Sequence, residues 1–207
     1  MQNNADGLLV ARICHDLKNC LSVIAFFKED LMENSVDLKN GLEEFIKSVD
    51  NLSLRLSFFQ NLAVDGAHIG NLYEMLQQMC AGHGINLAFD INSVDLEQDS
   101  IVQNVICGIL YLIIVDLLRN KSPHEIITVT DKQLENIVIT ISNMSTEALP
   151  REVWDITEIE EVQATIVNAL ALYVKKIMKR HGYVTNIFDE QDTTGASNVK
   201  IIIKKLF

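Results

Sequence analysis

Proline and glycine are scarce in this sequence, with two prolines (Pro123 and Pro150) and nine glycines among 207 residues. That leaves no room for a low-complexity linker. Positive charge is also in short supply: 17 Lys and Arg face 28 Asp and Glu, a net charge of −11. A nucleic-acid-binding surface is therefore not expected, because phosphate backbones are held by basic patches. The four cysteines, Cys14, Cys20, Cys80 and Cys107, form no Cys-x-x-Cys pair, and no His/Cys cluster has zinc spacing. They read as free thiols of a reducing cytoplasm. The opening MQNNADG lacks a basic n-region and a cleavage signature, so no signal peptide is expected. The most apolar run, Val105 to Val115, falls short of the ~17–25 residues that a bilayer crossing needs, and is expected to be a buried helix.

What is present is globular: 48% of residues are hydrophobic and 22% charged. Residues 8–33 carry Leu9, Ile13, Leu17, Cys20, Ile24, Phe27 and Leu31 at spacings of four and three, one apolar stripe on a helix. A second helix, Leu38 to Ala63, repeats the spacing with Leu42, Phe45, Val49, Leu52, Leu56 and Phe59, a heptad seam. The polar Asn34-Ser35 between them suits an antiparallel hairpin. Phe26, Phe27, Phe45, Phe58 and Phe59 are too many large side chains for a two-helix contact. Dimerisation into a four-helix bundle, two helices from each chain, would cover them. Packing of the hairpin on the rest of its own chain is the competing arrangement.

After Gly66 and Gly70 the pattern changes, which puts a domain boundary near residues 64–68 and divides the chain into 1–65 and 66–207. The expected elements are a helix from Leu72 to Ala81, a strand from Ile85 to Ile91 and the buried helix from Ile101 to Leu118. Strands Ile126–Thr130 and Asn136–Ser142 should form a hairpin. A helix from Glu160 to Lys179, closed by His181 and Gly182, precedes two last strands beginning at Tyr183 and Asn198. The fold class expected is α+β: the helical hairpin, then an α/β two-layer sandwich with helices on one face of the sheet. Trp154 is expected in a loop after Pro150, packed on the core.

Within the first helix, His15 lies two residues from both Ile13 and Leu17, about 200° around by the 3.6-residue period. It should point away from the seam, towards solvent. Three and four positions away on its face are Arg12, Ala11, Lys18 and Asn19. An imidazole between two cations, in an acidic protein, is an environment that an incoming phosphoryl group would favour. The neutral ring is the nucleophile, and histidine is the side chain whose neutral form is readily available near pH 7. Asp16 lies about 100° round, close enough to orient the ring or hold its proton. An exposed histidine on a helix commonly has no role, so a functional assignment depends on its surroundings. His68, His83, His124 and His181 read as structural.

The motif HDLKN, preceded by Arg12 and followed by LSVI, resembles the H-box of two-component histidine kinases, in which a histidine and an acidic residue sit on the first helix of a dimerising hairpin. The resemblance spans the chain in order, hairpin then ATPase-type α/β domain. The acidic residue and the Asn three positions on match the kinase variant in which they serve dephosphorylation. The nucleotide motifs, however, are missing. Where the kinases have an N-x-x-x-N box, this chain reads Asp116-Leu117-Leu118-Arg119-Asn120. Asn143 to Pro150 contains no glycine, nor does the stretch Asp155 to Gln163, where Asp155, Glu158, Glu160 and Glu161 would repel phosphates. ATP binding is not expected.

A kinase-shaped chain that keeps the histidine and lacks the nucleotide site resembles the ChpT-type dimeric histidine phosphotransferases of alphaproteobacteria. Arg12, Cys14, His15, Asp16 and Leu17 match that family's motif, and Lys18-Asn19-Cys20 departs from it. The resemblance implies a cytoplasmic homodimer that relays phosphate through a phosphohistidine at His15. The partners would be receiver domains of a hybrid histidine kinase and of downstream response regulators, with no nucleic acid and no membrane. Arg12 and Lys18 would offset charge, Asp16 would orient the ring, and Asn19 would position a water in any dephosphorylation. This chain would bind no cofactor or metal, Mg²⁺ being held by the receiver. The alternative is a non-catalytic dimeric adaptor that keeps the scaffold to bind or regulate two-component proteins.

Overall fold

The computed structural model describes residues 5–32, 38–63, 69–81, 83, 85–90, 100–120, 126–132, 136–158, 165, 168–191, 193 and 195–206. Helices α1 (Ala5–Met32) and α2 (Leu38–Ala63) pair first. The rings of Phe27 and Phe45 lie 5.3 Å apart, while Ile13 and Leu17 share a small void with Leu52, Leu56 and Phe59. Rising numbers on α1 meet falling numbers on α2, so the hairpin is antiparallel as the spacing predicts.

Then come α3 (Ile69–Cys80), β1 (Asn86–Asp90), α4 (Ser100–Asn120), β2 (Ile126–Lys132) and β3 (Asn136–Ser142). They are followed by a 3-10 turn (Thr146–Ala148), α5 (Arg151–Glu158), α6 (Ala169–Arg180), β4 (Tyr183–Gln191) and β5 (Ser197–Lys205). The strands form one mixed sheet in the order β1-β2-β3-β5-β4. Only β1 and β2 run parallel, and α4 supplies the crossover that a parallel pair requires. Because side chains alternate along a strand, one face gathers Ile127, Val129, Ile139, Ile141, Val199, Ile201 and Ile203, all buried with the apolar sides of α4 and α6.

Three expectations need correction. No single helix runs from Glu160 to Lys179. Thr165 is not helical and α6 begins at Ala169. The Asn168 side-chain oxygen accepts from the Thr165 backbone N–H at 2.7 Å, a local bond that competes with helix formation. Trp154 sits on a helix, α5, rather than in a loop. Its indole N–H donates to the Thr146 carbonyl at 3.3 Å, and its ring packs on the core. Pro150 directly before the first turn and Glu152 within it are the start signals that mark this helix. Finally, helix length does not by itself set α4 apart from a membrane span, since Ile101–Leu118 is long and apolar enough. Its burial does, with 78% of that window covered by the rest of the chain. His68 and His124 lie outside the described residues.

Close approach of α4 and α6 depends on Gly108. A Cβ at that position would stand 2.6 Å from Cγ2 of Val174, a stiff β-branched side chain that is itself buried. Overpacking of this kind costs about 1–3 kcal/mol, more than the roughly 0.5–1 kcal/mol that alanine returns in a helix. Gly108→Ala is expected to lower the melting temperature, and Val174→Ala to cost less in that background than in the parent. Thermal melts of the double-mutant cycle check this, and simply additive losses would contradict it.

Candidate functional site

The phosphoacceptor candidate lies on α1, where apolar residues at four-and-three spacing put Ile13 and Leu17 half-buried towards α2 and leave His15 exposed. Leu9, one turn before Ile13, is buried in the main core, and α1 packs against α6 as well as α2. The helix that carries His15 is thus held on its inner side by packing on α2 and α6, and His15 is exposed.

Arg12 is half-buried and Lys18 exposed, one turn to either side of His15. Ala11, also on this side, is small and half-buried. The Lys18 carbonyl accepts from the Ser22 hydroxyl at 2.9 Å, a back-bond within the same helix. Asp16 and Asn19 are placed by their backbone on α1, 16 adjacent to His15 and 19 one turn on; their side chains lie outside the described residues. Of the five predicted site residues, the structure thus brings Arg12, His15 and Lys18 onto one side of a single helix.

Cys14 is exposed beside His15, whereas Cys80 and Cys107 are buried. Desolvation pushes the Cys80 thiol up to about 11 and that of Cys107 up to about 12. Thiolate is the reactive form, so at neutral pH both behave as small apolar core residues. Among the described residues, no three His, Cys, Asp or Glu side chains converge as a metal site would require.

The glycine-free stretch after β3 is well packed. Asn143 adopts a left-handed φ of 60° and donates its N–H to the Asn198 side chain at 3.2 Å. Thr146 gives its N–H and its hydroxyl to the two carboxylate oxygens of Asp189, at 2.7 and 2.6 Å. Met144, Leu149, Val153 and Ile156 are buried beneath. A separate groove of about 1100 Å³, lined by Asn51, Leu54, Glu74, Gln78 and His83 among others, opens between α2 and α3. It uses α2 residues other than those that meet Ile13 and Leu17, so the α1–α2 contact separates it from His15.

Sequence reasoning favours a partner chain for Phe58 and Phe59 and keeps packing on the rest of the same chain as the competing arrangement; for these two residues the latter holds. Both are buried, and both meet Tyr111 of α4: Phe58 stacks at 4.7 Å and Phe59 lies at 5.0 Å. The hairpin therefore packs on its own chain at this end. Its other end is different, with Leu21, Val23, Phe26, Leu42, Ile46 and Val49 all exposed.

No protein-family model matches the chain, and no curated protein matches it. The fold is that of a solved bacterial phosphotransferase, with a TM-score of 0.74 at 14% identity over 97% of this chain and 95% of that one. The histidine kinase domain of the Erythrobacter litoralis EL346 blue-light activated histidine kinase aligns more loosely (TM-score 0.46, 13% identity, 90% of this chain and 96% of that one). So does a histidine kinase from Burkholderia phymatum STM815 (TM-score 0.39, 15% identity, 93% and 99%).

Proposed function

We propose that this chain is a histidine phosphotransferase of two-component signalling, which relays a phosphoryl group between receiver-domain aspartates through a phosphohistidine at His15. The observation that carries the reading is the exposed His15, between Arg12 and Lys18, on the hairpin of a fold shared from end to end with a bacterial phosphotransferase.

The chemistry is two reversible steps. A neutral ring nitrogen of His15 attacks the phosphorus of an aspartyl phosphate. An N–P bond forms, the P–O bond to the carboxylate breaks, and the aspartate leaves as an anion while the ring gives up its N–H proton. A second receiver's aspartate then takes the phosphoryl group by the reverse exchange. Arg12 and Lys18 offset the charge that builds on the equatorial oxygens. Asp16 orients the ring or accepts its proton, and Asn19 positions water if the phosphohistidine is hydrolysed. Mg²⁺ belongs to the receiver, and ATP takes no part. The packing of residues 143–158 without glycines supports the last point.

The working unit is a cytoplasmic homodimer. Among the described residues, seven of the ten exposed large apolar side chains of the protomer lie on α1 and α2, and Leu42, Ile46 and Val49 line up at spacings of four and three. A second copy of the hairpin would cover this stripe as a four-helix bundle. Sedimentation is expected to give twice the 23.3 kDa chain mass for the parent and a single chain for Leu42→Glu/Ile46→Glu, with helicity retained. A parent that sediments as one chain at micromolar concentration contradicts the dimer.

Label transfer tests the function. Receiver domains phosphorylated with a labelled small donor should pass label to this protein, and ATP alone should not. Label taken from ATP would make it a kinase. Receiver binding with no label acquired would favour the adaptor.

A further inference from the structure

Six of the chain's 17 cations fall in two short stretches that contain no carboxylate: Lys175, Lys176, Lys179 and Arg180 at the end of α6, and Lys204 and Lys205 at the end of β5. The fold joins these stretches. Arg180 and His181 lead through Gly182, at a left-handed φ of 74°, directly into Tyr183. Tyr183 and Val184 are in register with Lys205 and Lys204, and the Leu206 N–H donates to the Gly182 carbonyl.

Lys176, Lys179 and Arg180 share one helical face by their spacing. All three are exposed, as are Lys204 and Lys205; strand alternation puts Lys205 on the sheet face of Ile203 and α6, and Lys204 on the opposite face. Lys175 is set apart, half-buried with its ammonium on the Thr157 carbonyl at 2.9 Å. Lys205 lies 5.6 Å over the ring of Tyr183. Among the described residues Lys176, Lys179, Arg180 and Lys204 make no ion pair. Leu206, which follows Lys204 and Lys205, is 58% exposed. Some of this charge complements the negative end of the α6 dipole, but that effect fades within the last turn and does not account for Lys204 and Lys205.

We propose that this basic end of the α/β domain is a docking surface for an acidic protein, namely the receiver domain that exchanges phosphate with His15. The identity of the partner rests on the function proposed above. A receiver that holds Mg²⁺ beside its reactive aspartate must gather carboxylates there, and a chain of net charge −11 would repel it over most of its surface. A local cationic patch reverses that repulsion and orients the encounter. The patch belongs to the helix, α6, against which α1 packs, so the element that carries His15 and the element that carries the charge are neighbours.

The test uses the full chain, with Lys176→Gln, Lys179→Gln, Arg180→Gln and Lys205→Gln combined; these are exposed positions, and an unchanged thermal melt shows that the fold is kept. Binding to an isolated receiver domain of a hybrid histidine kinase is measured at about 50 and about 300 mM salt, where screening differs substantially, together with phosphotransfer. The parent should weaken about 10-fold or more as salt rises. The variant should bind about 10-fold more weakly at low salt with little salt response, and its transfer rate at saturating receiver should be unchanged. Equal binding by parent and variant at both salts, with transfer intact, overturns the docking surface and leaves the phosphotransferase standing. A parent that binds no receiver overturns both. Patch-dependent capture of phosphatidylserine vesicles or of duplex DNA, with receivers bound equally by parent and variant, overturns the assignment to an acidic protein.

Discussion

His15→Ala is expected to abolish phosphoryl uptake from a receiver, a loss of at least about 10³-fold, since the imidazole is the group proposed to carry the phosphoryl. Removal of the nucleophile deletes the covalent intermediate itself, whereas its neighbours contribute only part of the charge compensation. Lys18→Ala and Arg12→Ala should therefore cost less, roughly 10–100-fold each. Because His15 is exposed, His15→Ala should leave the melting temperature unchanged within a degree or two, so lost transfer could not be ascribed to unfolding. Transfer within tenfold of the parent would remove His15 from the mechanism.

The largest structural effect is expected at Phe58. Its side chain is fully buried, stacked on Tyr111 at an interplanar angle of 15° and edge-on to Phe59. Phe58→Ala leaves a cavity where α2 meets α4, at a cost of about 3–5 kcal/mol, part of it the ring contact itself. Phe26→Ala, at a position 68% exposed in the protomer, should cost far less at concentrations where the chain is monomeric. Urea unfolding followed by circular dichroism distinguishes the two. A loss below about 1 kcal/mol at Phe58 would mean that the hairpin and the α/β domain are not coupled through this cluster.

These two residues also show what the amino-acid sequence discloses. Periodicity tells which face of a helix is apolar, so the inward direction of Ile13 and Leu17 and the outward direction of His15 are legible in the spacing of residues alone. It does not tell what covers an apolar face. Five phenylalanines call for more cover than a two-helix contact gives, from a partner chain or from the rest of the same chain; Phe58 and Phe59 find Tyr111 within the chain, Phe27 and Phe45 find each other across the hairpin, and Phe26 stays exposed. The stretch 151–180 departs from expectation for a different reason. Its helix start at Pro150-Arg151-Glu152 is a local signal on a helix of eight residues, too short for periodicity to stand out. A side-chain bond at Thr165–Asn168 breaks the long helix that composition alone favours. The strands are legible because β-branched runs such as NIVITIS and NVKIIIKK have few other uses. The candidate site is legible as a set of residues on one helical face, and its meaning comes from the fold around it.

The proposed relay requires a covalent bond to a ring nitrogen of one residue, so the most direct measurement is to find that bond. The protein would be incubated with a phosphorylated receiver domain, digested under mildly basic conditions that spare phosphohistidine, and mapped by mass spectrometry. The expected result is one acid-labile phosphoryl group on the peptide that contains His15, absent when the receiver is omitted. Phosphate on another residue, or none on a protein that binds the receiver, would contradict it.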